Sequence, residues 1–215
     1  MTPESVANYL KAHPEFFEDY SDFLSTVLIP HPHGGRAISI SERQMLTLRE
    51  KGKLVEGKLR ELISFGEEND AIGEKLHRLT LALMAARSAE SVVEMLYFNL
   101  REDFAVPHTV LRLWPAGEHP QLPEFGEASA ESRDFAASLA APYCSPHAMV
   151  DTAAWFGEQA PPLRSFAYVT LKGAETIGLL GMASEDAQRF YPEMGTLYLQ
   201  RLGEIAAAAL LRNLA

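Results

Sequence analysis

The chain has 215 residues, and its 19 Lys and Arg against 29 Asp and Glu give a formal charge of −10, which excludes a surface dominated by phosphate neutralisation. Its 47% apolar content excludes wholesale disorder, and the longest strictly apolar run, Ile205 to Leu211, is far short of the roughly 20 residues of a membrane span. A single cysteine, Cys144, excludes an intramolecular disulfide and a Cys-cluster zinc site.

Met1 is followed by Pro3, Glu4 and polar helix signals instead of a basic segment and an apolar run, so no secretory signal is expected and the protein is read as cytoplasmic. Thr2 and Pro3 form an N-cap and N1 pair, and Val6, Tyr9 and Leu10 recur at helical spacing up to His13-Pro14. Pro14 opens a second short helix bearing Phe16 and Phe17, and Phe23, Leu24, Val27 and Leu28 give a third set of apolar anchors. The run from Ile29 to Gly35 has two prolines and two glycines and reads as a loop. Residues 1–38 are therefore expected to form a small helical head. Within that loop His31 and His33 lack further ligands nearby, so no metal site is expected.

Ser39 and Glu42 have capping-box spacing and open a long helix, assigned to 39–75 as a dimerisation and signalling segment. Met45, Leu48, Val55, Leu59 and Leu62 alternate at three and four residues, with Gly52 in one seam position. Beyond Leu62 the seam runs through Phe65, Asn69, Ile72, Leu76, Leu79, Leu83 and Ala86, after a phase slip at Leu59, Leu62 and Phe65. The pattern predicts pairing with a second copy. Arg49, Lys51, Lys53, Lys58 and Arg60 precede Glu67, Glu68, Asp70 and Glu74, so an antiparallel pair or a hairpin folded near Gly66 would join opposite charges. Orientation, and continuity at Gly66, stay open at this point. Glu50, Glu56 and Glu61 interrupt the basic run, which reads as a solvated face and not as a nucleic-acid patch.

From Ser88 the pattern is mixed: a helix over 91–104, a strand over 108–114, a helix over 132–139, two strands over 165–171 and 176–183, and a final helix over 195–214. Residues 172–175 join the two strands as a hairpin. Gly178 and Gly181 inside a strand pattern mark close backbone approach.

The run Phe166 to Leu171, Glu175 to Met182, Arg189-Phe190 and the Ala-rich last helix resembles a GAF domain. The resemblance implies an α+β fold over 76–215: a central antiparallel sheet, the first and last helices on one face, and a small-molecule pocket on the other under loops and short helices. Val6-x-x-Tyr9-Leu10, Pro14-x-Phe16-Phe17, Ile29-Pro30-His31 and Ser39-x-x-Glu42-Arg43-Gln44 resemble the bacterial family catalogued as domain of unknown function 484, which brings no established activity. The Asn-Lys, Phe and Asp-Glu pattern of cyclic-nucleotide-binding GAF members is not found, nor a bilin-attachment motif. Cys144 alone lacks the disulfide partner used by the free methionine sulfoxide reductases that resemble this fold.

On the strand over 165–171, Phe166, Tyr168 and Thr170 share one face, the more polar and so the expected ligand side. Arg112 and Trp114 form a comparable pair, and Arg112 on a strand face needs a counter-charge if buried. The loop carrying Cys144, His147, Met149, Asp151 and Trp155 corresponds to the pocket cover. The expected ligand site is thus Arg112, Trp114, Cys144, Met149, Asp151, Tyr168 and Thr170, with no catalytic residue, no metal and no cofactor. The expected role is that of a noncatalytic sensory or adaptor protein, a homodimer taking an unidentified small molecule or protein partner, with nucleic acid and membrane not expected. Two alternatives remain: a small redox or hydrolytic enzyme using Cys144, with His147 as its base, and a structural adaptor with a filled core.

Overall fold

A computed structural model describes residues 2–29, 38–115, 122–157 and 162–214. Two compact units divide after Glu67. The first holds three short helices, α1 (Pro3–Ala12), α2 (Phe16–Asp19) and α3 (Ser21–Thr26), and a two-residue ladder of β1 (Leu28–Ile29) with β2 (Ile38–Ser39). Thr2 caps α1 as its sequence predicts: its Oγ1 accepts from the Ser5 amide at 3.3 Å, and the Ser5 hydroxyl closes the reciprocal bond. Phe16, half-buried, stacks on Tyr20 with centroids 4.9 Å apart and meets Phe23 edge-on at 5.8 Å, while Tyr20 and Phe23 stay exposed. His31 and His33 lie outside the described residues.

The Ser39 hydroxyl then accepts from the Glu42 amide at 3.2 Å and starts α4 (Ile40–Ala85), a single helix without a break at Gly66. A hairpin at that glycine is therefore ruled out. The expected continuation of the pairing seam into Leu76, Leu79 and Leu83 is corrected: these three are buried against the core of the second unit. The phase slip in the sequence lies between a stripe that is exposed among the described residues and one that packs on the sheet.

In the second unit the end of α4 is followed by α5 (Ala89–Glu102), β3 (His108–Leu113), α6 (Ala130–Ser138), β4 (Tyr143–Ser145), β5 (Ser165–Lys172), β6 (Thr176–Ser184) and α7 (Leu197–Leu214). Single turns of 3-10 helix lie at Pro123–Phe125 and Thr152–Phe156. The fold is α+β, and its four-stranded sheet runs in the order β3, β6, β5, β4 with every pair antiparallel.

Registry sorts the side chains onto two faces. Leu111, Leu180 and Val169 lie level with one another, as do Met182, Ala167 and Cys144, and this face is covered by α5, α7 and the end of α4. Leu79, Leu83, Leu96, Leu100 and Leu210 are fully buried there, each contributing about 1.5–3 kcal/mol by leaving water. On α7, Gly203 lets the helix backbone reach the sheet, since a Cβ there would lie 2.4 Å from Val169 Cγ1. Arg212, near the end of α7, donates to the carbonyls of Leu83, Met84 and Ala86 at 3.1, 3.2 and 2.8 Å, placing a cation on the unsatisfied C-terminal turn of α4. The opposite face carries Phe166, Tyr168, Leu179 and Ala183 under α6 and the 3-10 turn at Thr152–Phe156, the arrangement that the sequence resemblance implies. No described helix is long and apolar enough to cross a membrane.

Candidate functional site

Three levels of side chains cross the face opposite the helices: Arg112, Leu179 and Thr170; Val110, Gly181, Tyr168 and Tyr143; and His108, Ala183, Phe166 and Ser145. At the middle level Gly181 leaves the room that a side chain would fill. A Cβ there would stand 3.0 Å from Val110 Cγ1 and 3.3 Å from Phe156 Cζ, so the cover rests one aromatic edge on the sheet backbone.

Tyr168 fastens that cover. Its hydroxyl accepts from the Met149 amide at 3.0 Å and lies 2.7 Å from the Thr152 hydroxyl. The Thr152 hydroxyl donates to the Met149 carbonyl at 2.6 Å, so its single proton is used and Tyr168 donates to it. Burial raises the Tyr168 pKa and keeps the phenol neutral. Between these anchors Val150 has φ 51°, the left-handed region that a β-branched residue enters only under constraint. Asp151 accepts a short hydrogen bond from Ser132 at the start of α6, and that hydroxyl holds the carboxylate below its usual range. Thr170 donates to the Ala136 carbonyl at 2.9 Å, tying the end of α6 to β5. Sequence reasoning missed Thr152 and Ser132, both fully buried, because a lone hydroxyl in a loop carries no periodic signal.

Arg112 reaches the edge of β3. It donates to the Leu111 and Pro123 carbonyls at 3.2 and 3.4 Å and lies 5.6 Å from the Trp155 ring centroid, while its Nε is buried with no partner among the described residues. The Tyr97 hydroxyl accepts from the Leu111 amide at 3.1 Å, and burial together with the Glu124 carboxylate raises its pKa. Arg112 acts on the same hydroxyl in the opposite sense. Trp114 lies half-buried, 5.7 Å from the Arg133 guanidinium.

Arg112, Trp114, Tyr168 and Thr170 thus belong to one side of the sheet, with Met149 and Asp151 in its cover. Cys144 does not join them. It lies level with Ala167 on the helix-covered side, 4% exposed, and burial pushes its thiol up to about 11. His147 is exposed, and burial alone shifts the Cys144 thiol, with no imidazole acting on it. Beside the short strand β4 a groove of about 140 Å³ opens along β5 and α7, lined by Leu139, Pro142, Thr170, Lys172, Gln200 and Glu204 among others. Among the described residues no cluster of His, Cys, Asp and Glu has the form of a metal site.

The other exposed chemistry lies on α4. Met45, Leu48, Val55, Leu59 and Leu62 recur at three and four residues and are 54% to 66% exposed, an apolar stripe that none of the described residues covers. Gly52, Gly66 and Gly73 continue its spacing, and a Cβ at any of them would meet nothing within 4 Å.

The uncharacterized protein YigA of Salmonella typhimurium strain LT2 is 27% identical over 111 residues, covering 52% of this chain and 46% of that protein, so the chain spans less than half the length of this curated relative. The GAF domain of the potassium sensor histidine kinase KdpD of Escherichia coli superposes with a TM-score of 0.41 at 18% identity, covering 66% of this chain and 94% of that domain. Residues 1–213 match the family described as protein of unknown function DUF484, and the chain belongs to that family.

Proposed function

We propose that this member of the DUF484 family is a noncatalytic cytoplasmic sensory or adaptor protein, working as a homodimer paired through α4. The observation that carries the reading is the uncovered stripe from Met45 to Leu62. Five large apolar side chains at coiled-coil spacing give α4 little reason to be helical and solvated at once, and a second helix of the same pattern removes them from water. On this reading the sheet unit takes the signal, a small molecule or a protein, on the face bearing Arg112, Trp114, Tyr168 and Thr170. Shifting the cover held at Met149 and Thr152 would pass to α6 through the bond between Ser132 and Asp151. The sheet's other face bears the end of α4, so a change in sheet curvature would bias the pairing of the helices.

A second reading, an adaptor whose sheet face is filled and takes no small molecule, is favoured by the Phe156 ring seated over Gly181. Native mass spectrometry of the protein purified from its own host separates the two. A dimer carrying a stoichiometric small-molecule adduct is the expected result for the sensor, and a bare dimer that no metabolite stabilises thermally is the expected result for the adaptor. A monomer at micromolar concentration would sink both.

A further inference from the structure

Resting on the homodimer reading, we infer that the two copies of α4 pair antiparallel, the basic stretch 49–60 of each helix lying along the acidic stretch 61–74 of the other. Charge gives the first argument. From Arg49 to Arg60 the helix carries five cations and two carboxylates, and from Glu61 to Glu74 five carboxylates and no cation. A parallel pair lays +3 on +3 and −5 on −5, whereas an antiparallel pair lays each on its opposite.

The unslipped spacing gives a second argument, independent of charge. Carried past Leu62 without the slip that turns the apolar repeat to Phe65 and Ile72, the stripe's positions fall into two alternating sets: Met45, Gly52, Leu59, Gly66 and Gly73 in the first, Leu48, Val55, Leu62 and Asn69 in the second. Every seam glycine is in the first set. In a parallel, in-register pair each position meets its own copy, which stacks glycine on glycine at three levels and opens three gaps. In an antiparallel pair each set faces the other, so every glycine is offered a Leu, Val or Asn of the second copy, large against small along the seam. Among the described residues nothing lies within 4 Å of a Cβ built at these glycines, so the missing side chains answer no crowding there.

The test uses the full chain with Cys144→Ala and a nitroxide label at either Thr47→Cys or Gly57→Cys, two exposed or uncrowded positions on one side of the helix midpoint. Light scattering gives the mass and double electron–electron resonance the separation between the two labels of a dimer. At 1.5 Å of rise per residue, antiparallel pairing makes the separation at 47 exceed that at 57 by about 15 Å or more, the expected result. Separations alike within about 5 Å, the breadth left by 1.5 Å of rise per residue over a label's reach, would leave the dimer standing and overturn its orientation. A monomeric mass with no dipolar modulation would overturn the dimer reading and the orientation together.

Discussion

At the scale of single residues the informative groups are those whose surroundings leave them no freedom. Cys144 is 4% exposed and its thiol is pushed up to about 11 by burial, so the thiolate that would attack a disulfide reagent is scarce and shielded. The native protein should leave a chromogenic thiol reagent unreacted over minutes and release one equivalent once unfolded in guanidinium; rapid native labelling would restore the nucleophile reading. Asp151 gives a pH test with a defined sign. Its folded carboxylate is held below the usual range, chiefly by the Ser132 hydroxyl. It therefore contributes stability in full above the unfolded carboxylate value, and that contribution is lost as pH falls through the lower folded one. Urea melts should show wild type more stable than Asp151→Asn at pH 6–7, with the gap closing as pH approaches 3. An equal gap at both pH values would mean that the bond between Ser132 and Asp151 does not depend on the charge.

At the scale of elements, α7 and α4 make opposite uses of glycine. Gly203 is where α7 sits down on β5, and a methyl there drives into Val169 Cγ1 at 2.4 Å, so Gly203→Ala should cost about 1–3 kcal/mol in chemical denaturation. Pairing it with Val169→Ala should recover part of that loss, since the intruding methyl is then met by a smaller neighbour. On α4 the test is a charge in the uncovered stripe. Leu62→Asp should break the dimer by about 3 kcal/mol or more, because symmetry removes two leucines at once, while leaving the melting of the sheet unit unchanged. Elements with a long period were legible in the sequence. The hairpin of β5 and β6 showed its alternation, and α4 showed its capping box and its three-four repeat. β4 was missed because three residues hold no period, and with it went the parity that would have turned Cys144 to the helix side. The heptad pattern also does not say what covers it: Leu76, Leu79 and Leu83 kept seam spacing while facing their own sheet.

At the scale of the whole molecule, the sequence led to the right architecture and set Arg112, Trp114, Tyr168 and Thr170 on one side of the sheet, where the structure has them. The cover was where it fell short, since the bonds of Tyr168 with Met149 and Thr152 join residues 16 and 19 positions apart and no local rule pairs them. The contact between Arg212 and the last turn of α4 has a consequence of a different kind, in the order of synthesis. Carbonyls at 83, 84 and 86 wait for a guanidinium that is translated more than 120 residues later. Until α7 is complete, the last turn of α4 lacks these three hydrogen bonds and the apolar side of the sheet is covered by α5 and the end of α4 alone. The nascent sheet unit should therefore stay sensitive to protease, and open to chaperones, until α7 has been made and packs on it.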